Sequence, residues 1–228
     1  MKNNFKKKSF FNRLIDKIER RNRGNIILII LNYYYYLLSK IKKNTTDKRA
    51  YILEQIKKNS IVVEIGVWRG DFSEKIYNFS KPKELILVDP WIFIEKIRGC
   101  APQVDGNEPL DQKYFDEAKS TTKKKFINCE NVKIVSKNSA DASFLFPNNY
   151  FDYIYIDGEH TYEAVTSDLF HWYPKLKING KIYGDDYYWR EENNYFSLHK
   201  AYQDFIIKKN IKNWCVFKSQ ICLIKNNE

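Results

Sequence analysis

The chain predicts an α/β protein: a doubly wound, mostly parallel sheet of seven strands that ends in an antiparallel β pair, preceded by an N-terminal helical arm. Three observations carry that expectation. From residue 61 onward, short β-rich runs alternate with helical stretches, the pattern of parallel strands covered by helices on both faces. Glycines follow the first run at once, in Val62-Val63-Glu64-Ile65-Gly66-Val67-Trp68-Arg69-Gly70. Acidic residues close later runs, at Asp89, Asp157 and Asp185-Asp186, and the carboxyl ends of parallel strands are where open α/β sheets bind ligands.

In chain order, Phe10, Phe11, Leu14, Ile15 and Ile18 recur at helical spacing among basic residues, so Ser9 to Arg21 reads as an amphipathic helix that Gly24 breaks. Ile26 to Ile41 reads as a second, unusually apolar helix, and Lys40 to Lys48 as a polar linker. The division into domains follows: a basic arm over 1–48 and a catalytic domain over 49–228. Strands are expected at Ile61 to Ile65, Leu85 to Val88, Val132 to Val135, Phe151 to Ile156 and Lys181 to Tyr183. Between Thr161 and Tyr173 the residues Val165, Leu169 and Trp172 share a helical face, and Pro174 stops it. Asn213 to Lys218 and Gln220 to Lys225 form the terminal pair around Ser219, while Trp91 to Gln112, with two glycines, two prolines and no period, reads as a long loop of the kind that closes over ligands.

Composition narrows the function classes. A length of 228 residues with 43% hydrophobic content supports one sizeable core and an appendage. The net charge of +11 resides wholly in residues 1–50, which hold 14 Lys/Arg against 3 Asp/Glu, whereas 51–228 hold 25 of each. A nucleic-acid partner asks for a basic face on the folded domain, and that balance disfavours one. Cys100, Cys129, Cys215 and Cys222 show no C-x-x-C pair, so neither a zinc knuckle nor a disulfide framework is signalled and a reducing, cytoplasmic setting is expected. The apolar run Ile26 to Leu38 has 13 residues, short of the roughly 20 that span a bilayer. For the arm a solvated or packing role is expected first; an amphipathic basic segment beside an apolar one also suits peripheral contact with an anionic membrane, nucleic acid is the remaining competitor, and a homo-oligomer is open to the chain.

The glycine turn lets a ligand approach the backbone closely, and Asp89 stands where an acid accepts hydrogen bonds from both hydroxyls of a ribose. The spacing G-x-x-x-G departs from G-x-G-x-x-G and weakens an NAD-linked reading. Asp157, His160, Asp185 and Asp186 place hard oxygen ligands beside a proton acceptor at the ends of two strands. An aspartate alone after a strand is commonly a helix cap, and it is the company of the others that points to metal chemistry. His171 and His199 lack such company.

Taken together these residues make the chain resemble the class I S-adenosylmethionine-dependent methyltransferases, and more narrowly the metal-dependent small-molecule and sugar O-methyltransferases with an I-D-G-x-H signature. The resemblance covers about residues 49 to 225 and implies a Rossmann-like fold. It assigns Glu64, Gly66 and Gly70 to the cofactor-binding first motif, Asp89 to the ribose, and Ser139 and Ala140 to the adenine. In Phe151-Asp152-Tyr153-Ile154-Tyr155-Ile156-Asp157-Gly158-Glu159-His160 it makes Asp157 a metal ligand and His160 the general base; Asp168 and the run from Trp172 match the next helix and its exit. Asp185 and Asp186 supply the remaining ligands, Asp185 at a position often histidine in relatives. The implied cofactors are S-adenosylmethionine and Mg²⁺ or Mn²⁺, and the implied partner is a small-molecule or glycan acceptor. A divalent ion acts there as a Lewis acid on a hydroxyl that is a poor nucleophile at neutral pH. Trp189 and Arg190 stand where they would line an acceptor pocket. The competing reading from another class is a non-catalytic, methyltransferase-like binding or membrane-associated module.

Overall fold

The structure is a computed structural model that describes residues 25–43, 49–93, 111–189 and 197–227. The helix expected over 9–21, most of the polar linker, the interior of the 91–112 loop and Arg190 lie outside the described residues. The elements are α1 (Ile26–Lys43), α2 (Ala50–Leu53), β1 (Ile61–Ile65), α3 (Asp71–Ser80), β2 (Glu84–Val88), α4 (Gln112–Lys125), β3 (Val132–Val135), α5 (Ser139–Ser143), β4 (Phe151–Ile156), α6 (Tyr162–Trp172), β5 (Leu176–Gly184), α7 (Ser197–Lys208), β6 (Trp214–Phe217) and β7 (Gln220–Ile224). A 3₁₀ turn at Tyr173–Lys175 carries Pro174 and leads straight into β5, which is longer than the expected Lys181 to Tyr183.

The seven strands run in the order β3-β2-β1-β4-β5-β7-β6, parallel through β5, with β7 antiparallel to both neighbours. The chain winds from β1 outward to β2 and β3, then returns to β4 on the other side, so the order reverses between β1 and β4. A crevice opens at such a reversal, at the carboxyl ends of the strands. Register brings those ends level: Ile65 pairs with both Val88 and Ile156, and Ile156 with Gly184. One further backbone bond beyond each pair, Gly66 N to Val88 O (2.9 Å), Asp157 N to Ile65 O (2.8 Å) and Asp185 N to Ile156 O (3.0 Å), holds the glycine turn and the acids abreast.

Period-two alternation sends successive side chains to opposite faces. Val63, Ile65, Ile154 and Ile156 pack with Val165, Leu169, Trp172, Leu198 and Phe205 of α6 and α7. Val62, Leu85, Leu87 and Tyr155 pack with Ile52, Phe72, Ile76 and Ala118 on the other side. Thr161 caps α6 by accepting from Ala164 N (3.2 Å). The terminal hairpin turns through Lys218 (φ 53°) and Ser219 (φ 65°), the paired positive φ of the tight turns that match strand twist.

Helix α1 belongs to this packing. Ile29 is 2% exposed and joins the second core cluster, Tyr33 and Tyr36 meet the ring of Phe217 edge-on, and Asn25 N donates to Trp214 O (2.7 Å). A boundary at residue 48 therefore separates a helix from the core it packs on. Among the described residues no helix is long and apolar enough to cross a membrane.

Candidate active site

The glycine turn is built on backbone conformations that side chains resist. Gly66 has φ 83°, Trp68 φ 54° and Gly70 φ 72°. Asp89 holds this turn in place: its Oδ2 accepts from Val67 N and Trp68 N, both at 2.9 Å, and its Oδ1 accepts from Trp91 N at 2.8 Å. The acid expected at a ribose is thus first a strut of the turn, with acceptor capacity left on Oδ1, since a carboxylate oxygen takes two hydrogen bonds. Thr122 Oγ1 and Trp91 Nε1 both donate to Trp68 O, at 2.9 and 2.8 Å, tying α4 and the start of the long loop to the same turn. Gln112 closes that loop at its base by donating to Trp91 O and accepting from Phe93 N, each at 2.9 Å.

Glu64 is 1% exposed beneath the turn and accepts a hydrogen bond from Ser73 Oγ. Burial pushes its carboxyl up to about 8; Ser73 opposes the shift and the nearby Asp157 adds to it. Its contact with Ser73 ties β1 to the start of α3. Ser139 opens α5 and accepts from Trp172 Nε1 (2.7 Å), next to partly buried Ala140. The buried Asp168 is likewise raised, to about 7, by burial, against the opposing effect of its hydrogen bond with Ser139.

On the other side of the crevice the acids converge. Arg49 Nη1 lies 3.0 Å from Asp157 Oδ2 and 3.5 Å from Asp185 Oδ2, and its guanidinium sits over the Phe72 ring at 4.5 Å. Asp185 is fixed from all sides: Oδ2 accepts from Tyr155 Oη (3.1 Å), and Oδ1 accepts from Asp186 N (2.7 Å) and from Gln220 Nε2. Asp157 is pushed up to about 6, first by burial; Asp185 raises it further while His160 and Arg49 pull it down. Because Thr161 caps α6, Asp157 does not play the cap that a lone aspartate after a strand would suggest. Asp186 takes φ 45°, a strained conformation for a residue with a Cβ.

His160 Nε2 stands 4.0 Å from Asp157 Oδ1, an ion-pair separation, and its ring lies 4.8 Å from that of Trp189. Its backbone carbonyl accepts from Ser197 Oγ (3.1 Å), which anchors it to α7. Burial disfavours the imidazolium, yet Asp157, Asp186 and Asp185 more than offset that, so the imidazole pKa is raised above its usual value.

Sequence reasoning expected the residues at the strand ends to converge on one cleft, and the fold brings Glu64, Gly66, Asp89, Asp157, His160 and Asp185 to the carboxyl ends of the strands around the β1–β4 junction. His171 and His199 lie elsewhere: His171 Nδ1 is 2.8 Å from Ser167 O, and the His199 ring lies tilted against that of Tyr187, 4.9 Å between centroids. Sequence reasoning missed Arg49 and Gln220. No pattern marks Arg49, whereas the pairing of Gly184 with Ile221 sets Gln220 beside Asp185 once the strand order is known.

Carboxylates are the donor type that a hard divalent ion takes, but the Arg49 guanidinium already neutralises the Asp157–Asp185 pair. Among the described residues no three His, Cys, Asp or Glu side chains are grouped to hold a metal ion. With Arg49 in place, the acids form an ion-paired cluster.

Residues 63–187 match the model of a family described as a methyltransferase domain, over half of the chain. The chain belongs to that family. Among solved structures, this methyltransferase is similar to a putative S-adenosyl-L-methionine-dependent methyltransferase from Methanococcus maripaludis, at 16% identity and TM-score 0.55, over 100% of this chain and 98% of that one. It is also similar to the O-methyltransferase NovP (16% identity, TM-score 0.55, 79% of this chain and 80% of that one). A putative rRNA-methylase from Clostridium thermocellum matches at 13% identity and TM-score 0.55, over 79% and 94%. At these identities the likeness is one of fold: the Rossmann-like, seven-stranded fold of class I S-adenosylmethionine-dependent methyltransferases. No curated protein matches the sequence.

Proposed function

We propose that this methyltransferase moves the methyl group of S-adenosylmethionine to a hydroxyl of a small molecule, a sugar or glycan, with the help of a divalent cation. One observation carries the reading: the Asp157–Asp185–His160 cluster abuts the glycine turn, with Gly66 packed directly on the backbone of Asp157 and Gly158. Groups that would prepare an acceptor oxygen thus flank the turn that would hold the methyl donor, and methyl transfer depends chiefly on such in-line positioning.

Asp157, Asp185 and Asp186 are the residues that would hold Mg²⁺ or Mn²⁺. When bound, the ion supplies Lewis-acid stabilisation of an alkoxide. Asp89, Glu64 and the 66–70 turn would position the donor. His160 accepts the hydroxyl proton. The carboxylates around it favour the imidazolium, so neutralising their charge brings its pKa down toward the range in which an imidazole works as a base. The Trp189 ring, against His160, would form one wall for the acceptor.

The test is transfer of labelled methyl from S-adenosylmethionine to a panel of sugars and other hydroxylated small molecules, with Mg²⁺ or with EDTA. Ion-dependent methyl ethers are expected. Undiminished transfer in EDTA after stripping would remove the cation from the reading, and products methylated only on nitrogen or carbon would remove the hydroxyl acceptor.

A further inference from the structure

Helix α1 carries two apolar faces, and the core covers only one of them. Ile29 is buried, and Leu28, Tyr33 and Tyr36 are partly buried against the second core cluster. On the other side Ile26, Ile27, Ile30, Leu31, Tyr34 and Leu37 are exposed, Ile27 at 64% and Tyr34 at 55%. At 3.6 residues per turn these positions fall within an arc of roughly 140° and form a ridge roughly 16 Å long. They are six of the thirteen large apolar side chains exposed among the described residues, so apolar surface is gathered on this helix rather than scattered singly.

The charge around the ridge is of one sign. No Asp or Glu occurs between Glu19 and Asp47, Lys40, Lys42 and Lys43 stand in the last turn of α1, and residues 1–50 hold 14 Lys/Arg against 3 Asp/Glu. Residues 51–228 hold 25 of each and so offer no excess of acid to answer that charge. The complement of such a segment is a surface that is apolar within and anionic at its boundary. A second copy of the chain would instead bring the same positive segment to the interface, and like charges there oppose pairing. A nucleic acid would meet the cations through its phosphates but give Ile27, Ile30, Leu31 and Leu37 no apolar phase to enter.

We propose that the outer face of α1 docks this methyltransferase onto an anionic lipid surface. The helix lies in the plane of the interface, with Ile27, Ile30, Leu31 and Leu37 at the acyl boundary and the basic residues of the segment drawing it to the headgroups. Tyr34, with an apolar ring and a polar tip, suits the boundary between the two. An interfacial helix sinks its apolar face by about 5–10 Å, and α1 can do so without loosening Ile29, Tyr33 and Tyr36, which pack toward the core and Phe217. The crevice is tethered close by: Arg49, which pairs with Asp157, follows Lys43 through a connection that reaches at most roughly 20 Å when extended. Docking therefore keeps the active site near the lipid surface.

Flotation of the full chain with vesicles of phosphatidylcholine alone, and of phosphatidylcholine with phosphatidylserine, at low and high salt, tests this on the wild type and on the variant Ile27→Ser/Leu31→Ser/Tyr34→Ser. All three positions are exposed, so the variant should keep the wild-type thermal midpoint. The wild type should float with the phosphatidylserine vesicles, stay largely unbound with phosphatidylcholine alone, and lose binding severalfold at high salt. The variant should bind the anionic vesicles roughly tenfold or more weakly, the order expected when three side chains no longer enter the acyl boundary. Absence of flotation on phosphatidylserine vesicles, equal flotation on both vesicle types, or equal flotation of variant and wild type overturns the proposal. So does a lowered thermal midpoint in the variant, which would mean that the chain itself covers the ridge. A wild-type dimer in light scattering that the variant splits would make the ridge an interface between copies, and binding of duplex DNA in place of vesicles would assign the charge to nucleic acid; either result overturns it as well.

Discussion

Gly66 touches the backbone of Asp157 so closely that a Cβ at Gly66 would overlap the Asp157 carbonyl group and lie 2.7 Å from the Cα of Gly158. The contact joins the donor side of the crevice to its acidic side. Gly66→Ala has no flexible neighbour to push aside, since the atoms it would meet are backbone, and φ 83° adds strain. We expect a loss of about 3 kcal/mol or more in stability and loss of measurable S-adenosylhomocysteine binding by calorimetry. A folded Gly66→Ala protein that binds at wild-type affinity would show that the close approach is incidental.

Glu64 gives a pH dependence of stability with a definite sign. Its folded pKa of about 8 lies above its ordinary value of 4.5, so between these the folded state binds more protons than the unfolded. Stability from this group is therefore full below about pH 4.5, declines as pH rises through neutrality, and levels off above about pH 8. Glu64→Gln, which resembles the neutral acid, should flatten that decline, gaining on the wild type as pH rises from 6 to 9 in urea titrations. Parallel profiles for the two proteins would show that Glu64 is ionised in the fold.

Asp157→Asn should weaken Mg²⁺ binding by roughly tenfold or more while leaving S-adenosylhomocysteine affinity largely unchanged, because the donor turn is held by Asp89. The two affinities are separable by calorimetry. A matched fall in both would mean that Asp157 acts through the turn.

His160→Ala should lower kcat by about 10²- to 10⁴-fold, the usual range for a positioned acid–base group, with little change in donor affinity. The wild-type rate should fall on the acidic side as the imidazole protonates, and the variant should lose that limb. Near-normal turnover across pH would assign the proton to another group.

Ile29→Ala tests whether α1 shares the core. At 2% exposure, truncation should cost about 2–4 kcal/mol in denaturant unfolding. A change within about 0.5 kcal/mol, the ordinary range for surface substitutions, would make α1 an appendage.

The sequence by itself determined the positions of β1 to β4, the carboxyl end of β5, the glycine turn and the acids that end β2, β4 and β5. These are local: alternation of apolar residues sets a strand, glycine after it sets a turn, and an acid one residue on falls at the carboxyl end. The helix from Tyr162 to Trp172 was legible for the same reason, with Thr161 before it and Pro174 after it. Only the tertiary structure decided what those acids face. Arg49 and Asp157 are 108 positions apart, and Asp185 and Gln220 are 35 apart. Asp89, expected to face a ribose, first satisfies the amides of a turn more than 20 residues earlier. Such meetings depend on strand order and register, which side-chain period does not encode, since a strand shows the same alternation whichever neighbour it pairs with. For the same reason the apolar run after Gly24 announced a helix, while its burial against Trp214, Phe217 and Ile52 was fixed by the return of the chain's last strands to the sheet edge.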